Sequence, residues 1–154
     1  MAWIDVIDEA DADGALRDVY DEILKSRGKI GNILKVHSLK PEVLRAHLEL
    51  YISIMFKPSG LSRAQRELIA TVVSTRNNCA YCTHHHAEAL NFYWKDSGKI
   101  EALKNNPEEI ELTDADRVML NYAIKLTESP SSVSERDVET LKEQGFSDEE
   151  ILCI

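Results

Sequence analysis

The chain has 154 residues, of which 44% are hydrophobic and 29% charged, so we expect one globular domain over residues 1–154 that needs no disulfide framework. Its formal net charge of -9 disfavours binding to phosphate backbones and anionic lipid, so we expect neither a nucleic-acid nor a membrane partner. No apolar run approaches the roughly 20 residues of a membrane helix, and the acidic start MAWIDVIDEADADG is unlike a signal peptide, so we expect a cytoplasmic protein.

The first half of the chain predicts three helices. The first follows the capping candidates Asp11 and Asp13 and ends at Gly28, with apolar residues at helical spacing between them. The second begins near Pro41 and ends before the segment KPSG. Ser62 and the residue three positions later, Gln65, match a capping box that starts the third.

The second half continues the helical pattern. A fourth helix, capped by Asn77 or Asn78, runs to about Trp94, and GKIEALKN predicts a short fifth. A sixth extends over residues 113–127, and SERDVETLKEQG predicts a seventh. Alternating strand patterns are missing, so the predicted fold class is all-α.

The carboxyl end carries a further helix signal. Ser147 and Glu150 form a capping box, yet the sequence ends at Ile154. A helix of about one turn is not stable alone in water. The final residues therefore either dock on a neighbour or belong to a helix that continues in a longer natural polypeptide, and we expect the second.

The segment NNCAYCTHHHAEAL contains two of the three cysteines. If the helix starts at Cys79, Cys82 lies one turn later, with the two Cα atoms roughly 5 Å apart, close enough for a disulfide. The positive end of the helix dipole stabilises a thiolate at this position. His86 follows four residues after Cys82 on the same face, where it can exchange a proton with either sulfur.

A carboxylate is expected to join this group from the preceding helix. A short connection makes the third and fourth helices an antiparallel hairpin, in which Glu67 and His86 lie at nearly the same distance from the turn. We therefore expect them within hydrogen-bonding reach, with Glu67 partly desolvated and suited to acid–base chemistry. A salt bridge to Arg63 or Arg66 would weaken Glu67 as a base.

Other interpretations of the cysteine pair stay open. A tetrahedral zinc site usually draws ligands from a second element, and the chain has no second C-x-x-C. Haem attachment requires a histidine directly after the second cysteine, where this chain has Thr83. Two cysteines packed in a helical core remain an alternative. We favour redox chemistry with no metal or cofactor.

The pattern E-x11-C-x-x-C-x3-H, formed by Glu67, Cys79, Cys82 and His86, resembles the signature of the AhpD-like alkyl hydroperoxidases of the carboxymuconolactone decarboxylase superfamily. The segments LSRAQRELIATVVSTRNNCAYC and IGNILKVHSLKPEVLRAHLELY resemble its peroxidase-related branch. The likeness covers the chain from about Lys29 onwards. Well-studied members carry a histidine between the cysteines, where this chain has Tyr81.

This resemblance implies an AhpD-like helical bundle that assembles into trimers or hexamers and acts as a thiol peroxidase. Its substrate would be a hydroperoxide, and an external dithiol or thiol would be the reductant. By analogy Cys82 attacks the peroxide and Cys79 resolves it. From the residues alone the roles stay open, since the helix dipole favours Cys79 as the thiolate and the contact with His86 favours Cys82. The alternatives are a general thiol–disulfide oxidoreductase and a non-catalytic assembly protein; lactone decarboxylation is disfavoured, because that branch lacks the paired cysteines.

Overall fold

The structure, a computed structural model, describes residues 2–154, and all the regular secondary structure in that range is helical. The helices are α1 (Gly14–Arg27), α2 (Asn32–Lys35), α3 (Pro41–Met55), α4 (Arg63–Arg76), α5 (Ala80–Trp94), α6 (Ser97–Asn105), α7 (Asp114–Glu128), α8 (Glu135–Glu143) and α9 (Asp148–Leu152), with a 3-10 turn at Pro130–Ser132. The predicted all-α fold class is confirmed. Among the described residues, none of these helices has both the length and the apolar character needed to cross a bilayer.

Local sequence signals explain several helix ends. Gly28 ends α1 with φ 74°, a left-handed conformation that glycine adopts at little cost, and its N–H donates to the Leu24 carbonyl. The predicted capping box of α4 is present, because Ser62 and Gln65 exchange side-chain and backbone hydrogen bonds. The short α2 was not predicted, since four residues are too few to show a helical period.

The chain forms two compact units, Met1–Lys57 and Pro58–Ile154. The expectation of a single domain over residues 1–154 stays a prediction. In the first unit, α1 and α3 bury Tyr20, Ile23 and Leu44 completely. The Tyr20 hydroxyl donates to the Ile7 carbonyl at 2.8 Å, which satisfies the polar end of this core side chain.

The second unit holds α4 to α9 around a core in which Leu90, Met119, Leu120 and Leu141 have no exposed surface. The predicted capping box of Ser147 starts α9, which has five residues. The last residues pack against this core through three partly buried side chains, Ile151, Cys153 and Ile154. This packing supplies the stability that so short a helix lacks by itself.

Candidate active site

The connection between α4 and α5 differs from the sequence-based expectation. Asn77 and Asn78 were predicted to cap α5, but Asn77 ends α4 and Cys79 is the N-cap of α5. Asn78 has φ 52°, a left-handed conformation that asparagine tolerates better than most residues. This turn uses both asparagines to reverse the chain, so the helix begins one residue later than predicted.

Cys79 and Cys82 lie at disulfide-bonding distance, with their Cα atoms 5.4 Å apart. The predicted proximity of the two sulfur atoms is therefore confirmed. As the N-cap, Cys79 accepts a hydrogen bond at its Sγ from the Cys82 backbone N–H at 3.3 Å. Both cysteines are partly exposed, so a small molecule can reach them from solvent.

The buried carboxylate of Glu67 joins α4 to α5. Its side chain is only 3% exposed, and its Oε2 lies 2.8 Å from Nδ1 of His86. Its other oxygen, Oε1, accepts a hydrogen bond from Arg63 Nη2 at 2.6 Å. The predicted contact between Glu67 and His86 is confirmed, and so is one of the two alternative ion pairs considered for Glu67. The second arginine of this turn, Arg66, donates from Nε to the Leu61 carbonyl.

These contacts fix the orientation of the imidazole. A carboxylate paired with an arginine is a hydrogen-bond acceptor only, so Nδ1 of His86 must carry the hydrogen and donate it to Glu67. The other ring nitrogen, Nε2, is left as the basic atom. His86 keeps 24% of its side chain exposed and follows Cys82 by one helical turn, so Nε2 is the atom suited to proton exchange with a thiol.

The relation of α4 to α5 accounts for this contact. Three residues connect the helices. Glu67 lies nine residues before Arg76, the last residue of α4, and its partner His86 lies seven residues after Cys79, the N-cap of α5. Similar distances on either side of a short turn are those expected of an antiparallel helical hairpin. Each helix therefore contributes one side of the group.

Two further histidines of the motif lie outside this group. His84 is two-thirds exposed and approaches Glu88 at 3.5 Å, within its own helix. His85 packs edge-on against the exposed ring of Tyr81, with ring centroids 4.4 Å apart. At two and three positions after Cys82, His84 and His85 are expected to turn away from the helical face that carries Cys82 and His86, and their contacts are with Glu88 and Tyr81.

A pair of histidines in the first unit was missed. In the sequence His37 and His47 look isolated from each other and from the cysteine motif, but their ring centroids lie 4.7 Å apart, and Nδ1 of His37 lies 3.0 Å from the Ile33 carbonyl. Burial, and then the charge of His37, lowers the pKa of His47. His37 lies in the turn after α2 and His47 lies on α3, so no helical spacing in the sequence indicates their contact.

Within residues 2–154, no group of three or more histidine, cysteine, aspartate or glutamate side chains is arranged to hold a metal ion. Glu67, His86 and the two cysteines nevertheless include the groups that thiol chemistry uses: two thiols, an imidazole that can act as a base, and a carboxylate bonded to that imidazole.

Comparisons with known proteins concern the family and the fold. The model of the carboxymuconolactone decarboxylase family matches residues 41–92. An uncharacterized peroxidase-related protein from Silicibacter sp. TM1040 is 32% identical, over 96% of this chain and 79% of that one, with a TM-score of 0.82. The alkylhydroperoxidase AhpD core of an uncharacterized peroxidase-related protein from Ralstonia eutropha JMP134 is 27% identical. The match covers 97% of this chain and 79% of that one, with a TM-score of 0.84.

A more distant structure shares the fold alone. The debrominase Bmp8, bound to 2,3,4-tribromopyrrole, is 19% identical over 99% of this chain and 80% of that one, with a TM-score of 0.75. No curated protein sequence matches the chain.

Proposed function

The chain belongs to the AhpD-like branch of the carboxymuconolactone decarboxylase superfamily, and from this premise we propose that it is a thiol-dependent peroxidase that reduces hydroperoxides. One observation carries the proposal above the others. Beside a pair of cysteines at disulfide distance, His86 is oriented by a buried carboxylate 2.8 Å away. A cysteine pair that only packed in a core would need no oriented base.

The first step is attack of the Cys82 thiolate on the hydroperoxide. His86 takes the thiol proton, directly or through one water. The sulfur then forms a bond to one oxygen of the hydroperoxide, and the O–O bond breaks. The departing alkoxide or hydroxide takes that proton and leaves as alcohol or water. Cys82 is oxidised to a sulfenic acid and the peroxide is reduced by two electrons.

The second step closes the disulfide. The thiol of Cys79 condenses with the Cys82 sulfenic acid, which forms the S–S bond and releases water. The Cα separation of 5.4 Å allows this bond without movement of the backbone. An external dithiol then exchanges with the disulfide, becomes a disulfide itself and returns both cysteines to thiols. The cycle needs no metal or cofactor.

The main rival function is thiol–disulfide exchange without peroxide, since the same pair and base serve both reactions. Turnover of cumene hydroperoxide and of hydrogen peroxide with dithiothreitol as reductant, compared with reduction of insulin disulfides, separates the two. We expect peroxide turnover to exceed disulfide reduction, to disappear in Cys82→Ser and to persist in the control Cys153→Ser. Peroxide consumption retained by the Cys82→Ser variant would refute the assignment of Cys82.

We further propose that the protein acts in the cytoplasm as a homo-oligomer, a trimer or hexamer, with no nucleic-acid or membrane partner. Exposed apolar side chains on α3, Val43, Leu50 and Ile54, support the assembly, because a single small unit leaves few such residues uncovered. Light scattering coupled to gel filtration measures the mass of the assembly and so its oligomeric state. Replacing Leu50, which is 62% exposed, with glutamate should reduce the mass toward that of one chain if α3 lies in the interface.

A further inference from the structure

Arg63, the first residue of α4, is placed to control the charge of Glu67. Its Nη2 lies 2.6 Å from Oε1 of Glu67, one helical turn later, and 24% of the arginine side chain remains exposed. Glu67 itself is 3% exposed. The cationic end of the pair therefore reaches solvent while the anionic end is buried.

We propose that Arg63 is a positioning residue that keeps Glu67 ionised throughout the reaction, so that His86 holds the proton released by Cys82 and does not pass it to Glu67. The inference rests on the proposed function and specifies how its base operates. It differs from a relay in which the buried glutamate is the final proton acceptor.

The burial of Glu67 gives the physical reason. A carboxylate removed from water must be neutralised by a proton or by a cation. Arginine remains protonated at every pH that the protein experiences, so Arg63 supplies the cation permanently and removes the need for a proton. Arg63 bonds to Oε1, and His86 bonds to the other carboxylate oxygen, Oε2.

Other charged groups lie near Glu67 on three helices. On α4, Arg66 is 6% exposed and donates from Nε to the Leu61 carbonyl, whereas Arg63 bonds to Glu67 itself. On α5, His86 bonds to Oε2. From α7, Asp116 accepts a hydrogen bond from Gln65 at 2.9 Å, so this acid is engaged with the first turn of α4.

The proton then has a defined path. The S–H bond of Cys82 breaks, an N–H bond forms at Nε2 of His86, and the imidazolium is stabilised by the ionised carboxylate on its opposite nitrogen. The same proton is returned to the oxygen that leaves when the O–O bond breaks. Without Arg63, the buried carboxyl would take up a proton as the pH falls, and the support for the imidazolium would disappear.

The test uses the pH profile of Cys82 alkylation, which requires no peroxide. A parent with Cys79→Ser and Cys153→Ser leaves a single thiol, and iodoacetamide reports its reactivity between pH 5 and 9. We expect one titration step in the parent. Arg63→Met should add a second step on the acid side, with a fall in rate of about 100-fold as the carboxyl is protonated.

Three further variants assign that step. Arg63→Lys should restore the single step, because lysine keeps the charge. Combining Arg63→Met with Glu67→Gln should abolish the second step, because the group that titrates is gone. Arg136→Met removes an equivalent charge from α8, where Arg136 pairs with Glu139 and Glu143, and should leave the profile unchanged.

Circular dichroism tests whether each variant is folded. If Arg63→Met does not fold, Arg63→Gln is used in its place. A one-step profile that is the same with and without Arg63 overturns the inference. A protein that shows the second step but turns over no peroxide would refute the proposed function while leaving the role of Arg63 intact. The two failures are therefore distinguishable.

Discussion

Replacing Glu67 with glutamine removes the buried charge between α4 and α5 and keeps the shape of the side chain. The substitution removes the charged group that bonds to Arg63 and to His86, although the amide oxygen still accepts one hydrogen bond. Loss of one partner from a fully buried ion pair costs about 3–5 kcal/mol. Since Arg63 and His86 each keep 24% exposure, water can solvate what remains, and we expect a cost of about 2 kcal/mol.

For a chain of this length, that cost corresponds to a decrease in Tm of roughly 4–8 °C. The same substitution removes the carboxylate that supports proton transfer by His86, so the rate of Cys82 oxidation should fall by about 100-fold or more. Thermal unfolding under reducing conditions gives the first quantity, and stopped-flow mixing with cumene hydroperoxide gives the second.

Glu108→Gln is the matched control. Glu108 is 72% exposed and approaches Arg76 at 3.3 Å, so its substitution should change the free energy of unfolding by no more than about 0.5 kcal/mol. If Glu67→Gln has the Tm and the oxidation rate of the wild type, the buried carboxylate neither stabilises the hairpin nor assists the chemistry, and the reasoning about the site is refuted.

Two further predictions concern stability. Gly60→Ala should destabilise the protein by about 1 kcal/mol, because the new Cβ would collide with the Glu150 side chain, which two hydrogen bonds to Ser147 hold in the capping box of α9. In a Glu150→Ala background the same substitution should not change the free energy of unfolding, which urea unfolding measures. Because the pKa of His47 is lowered in the folded protein, His47 takes up a proton at higher pH in the unfolded chain than in the folded one. The free energy of unfolding should therefore keep its full value above pH 6.5 and decrease as the pH falls below that value. His47→Asn should flatten this dependence between pH 7.5 and 5, and an unchanged slope would show that the titration of His47 does not contribute to the pH dependence of stability.

Several features were predictable because their causes are local. The cap of α1 at Gly28 and the box formed by Ser62 and Gln65 depend on bonds that span three or four residues, and sequence spacing encodes them directly. The contact between Glu67 and His86 spans 19 residues, yet it was predicted because a short turn between two helices places residues at equal distances opposite one another.

Other features depend on choices that the sequence pattern does not encode. Two consecutive asparagines offered two positions for the cap of α5, and the left-handed conformation of Asn78 moved the cap to Cys79. Both Arg63 and Arg66 lie within one turn of Glu67, so the side-chain conformations decide which contacts form. The contact of His37 with His47 follows from the packing of separate elements, which no periodicity reveals.

The central claim is that the oriented base activates Cys82 toward peroxide, and single-turnover oxidation tests it most directly. Fully reduced protein is mixed with one equivalent of cumene hydroperoxide, and the thiols are counted by mass spectrometry after rapid acid quenching. The account predicts that Cys79 and Cys82 become a disulfide, that Cys153 stays reduced, and that the reaction is much faster than oxidation of free cysteine at the same pH. Thiols that remain reduced, or that are oxidised no faster than free cysteine, would contradict it.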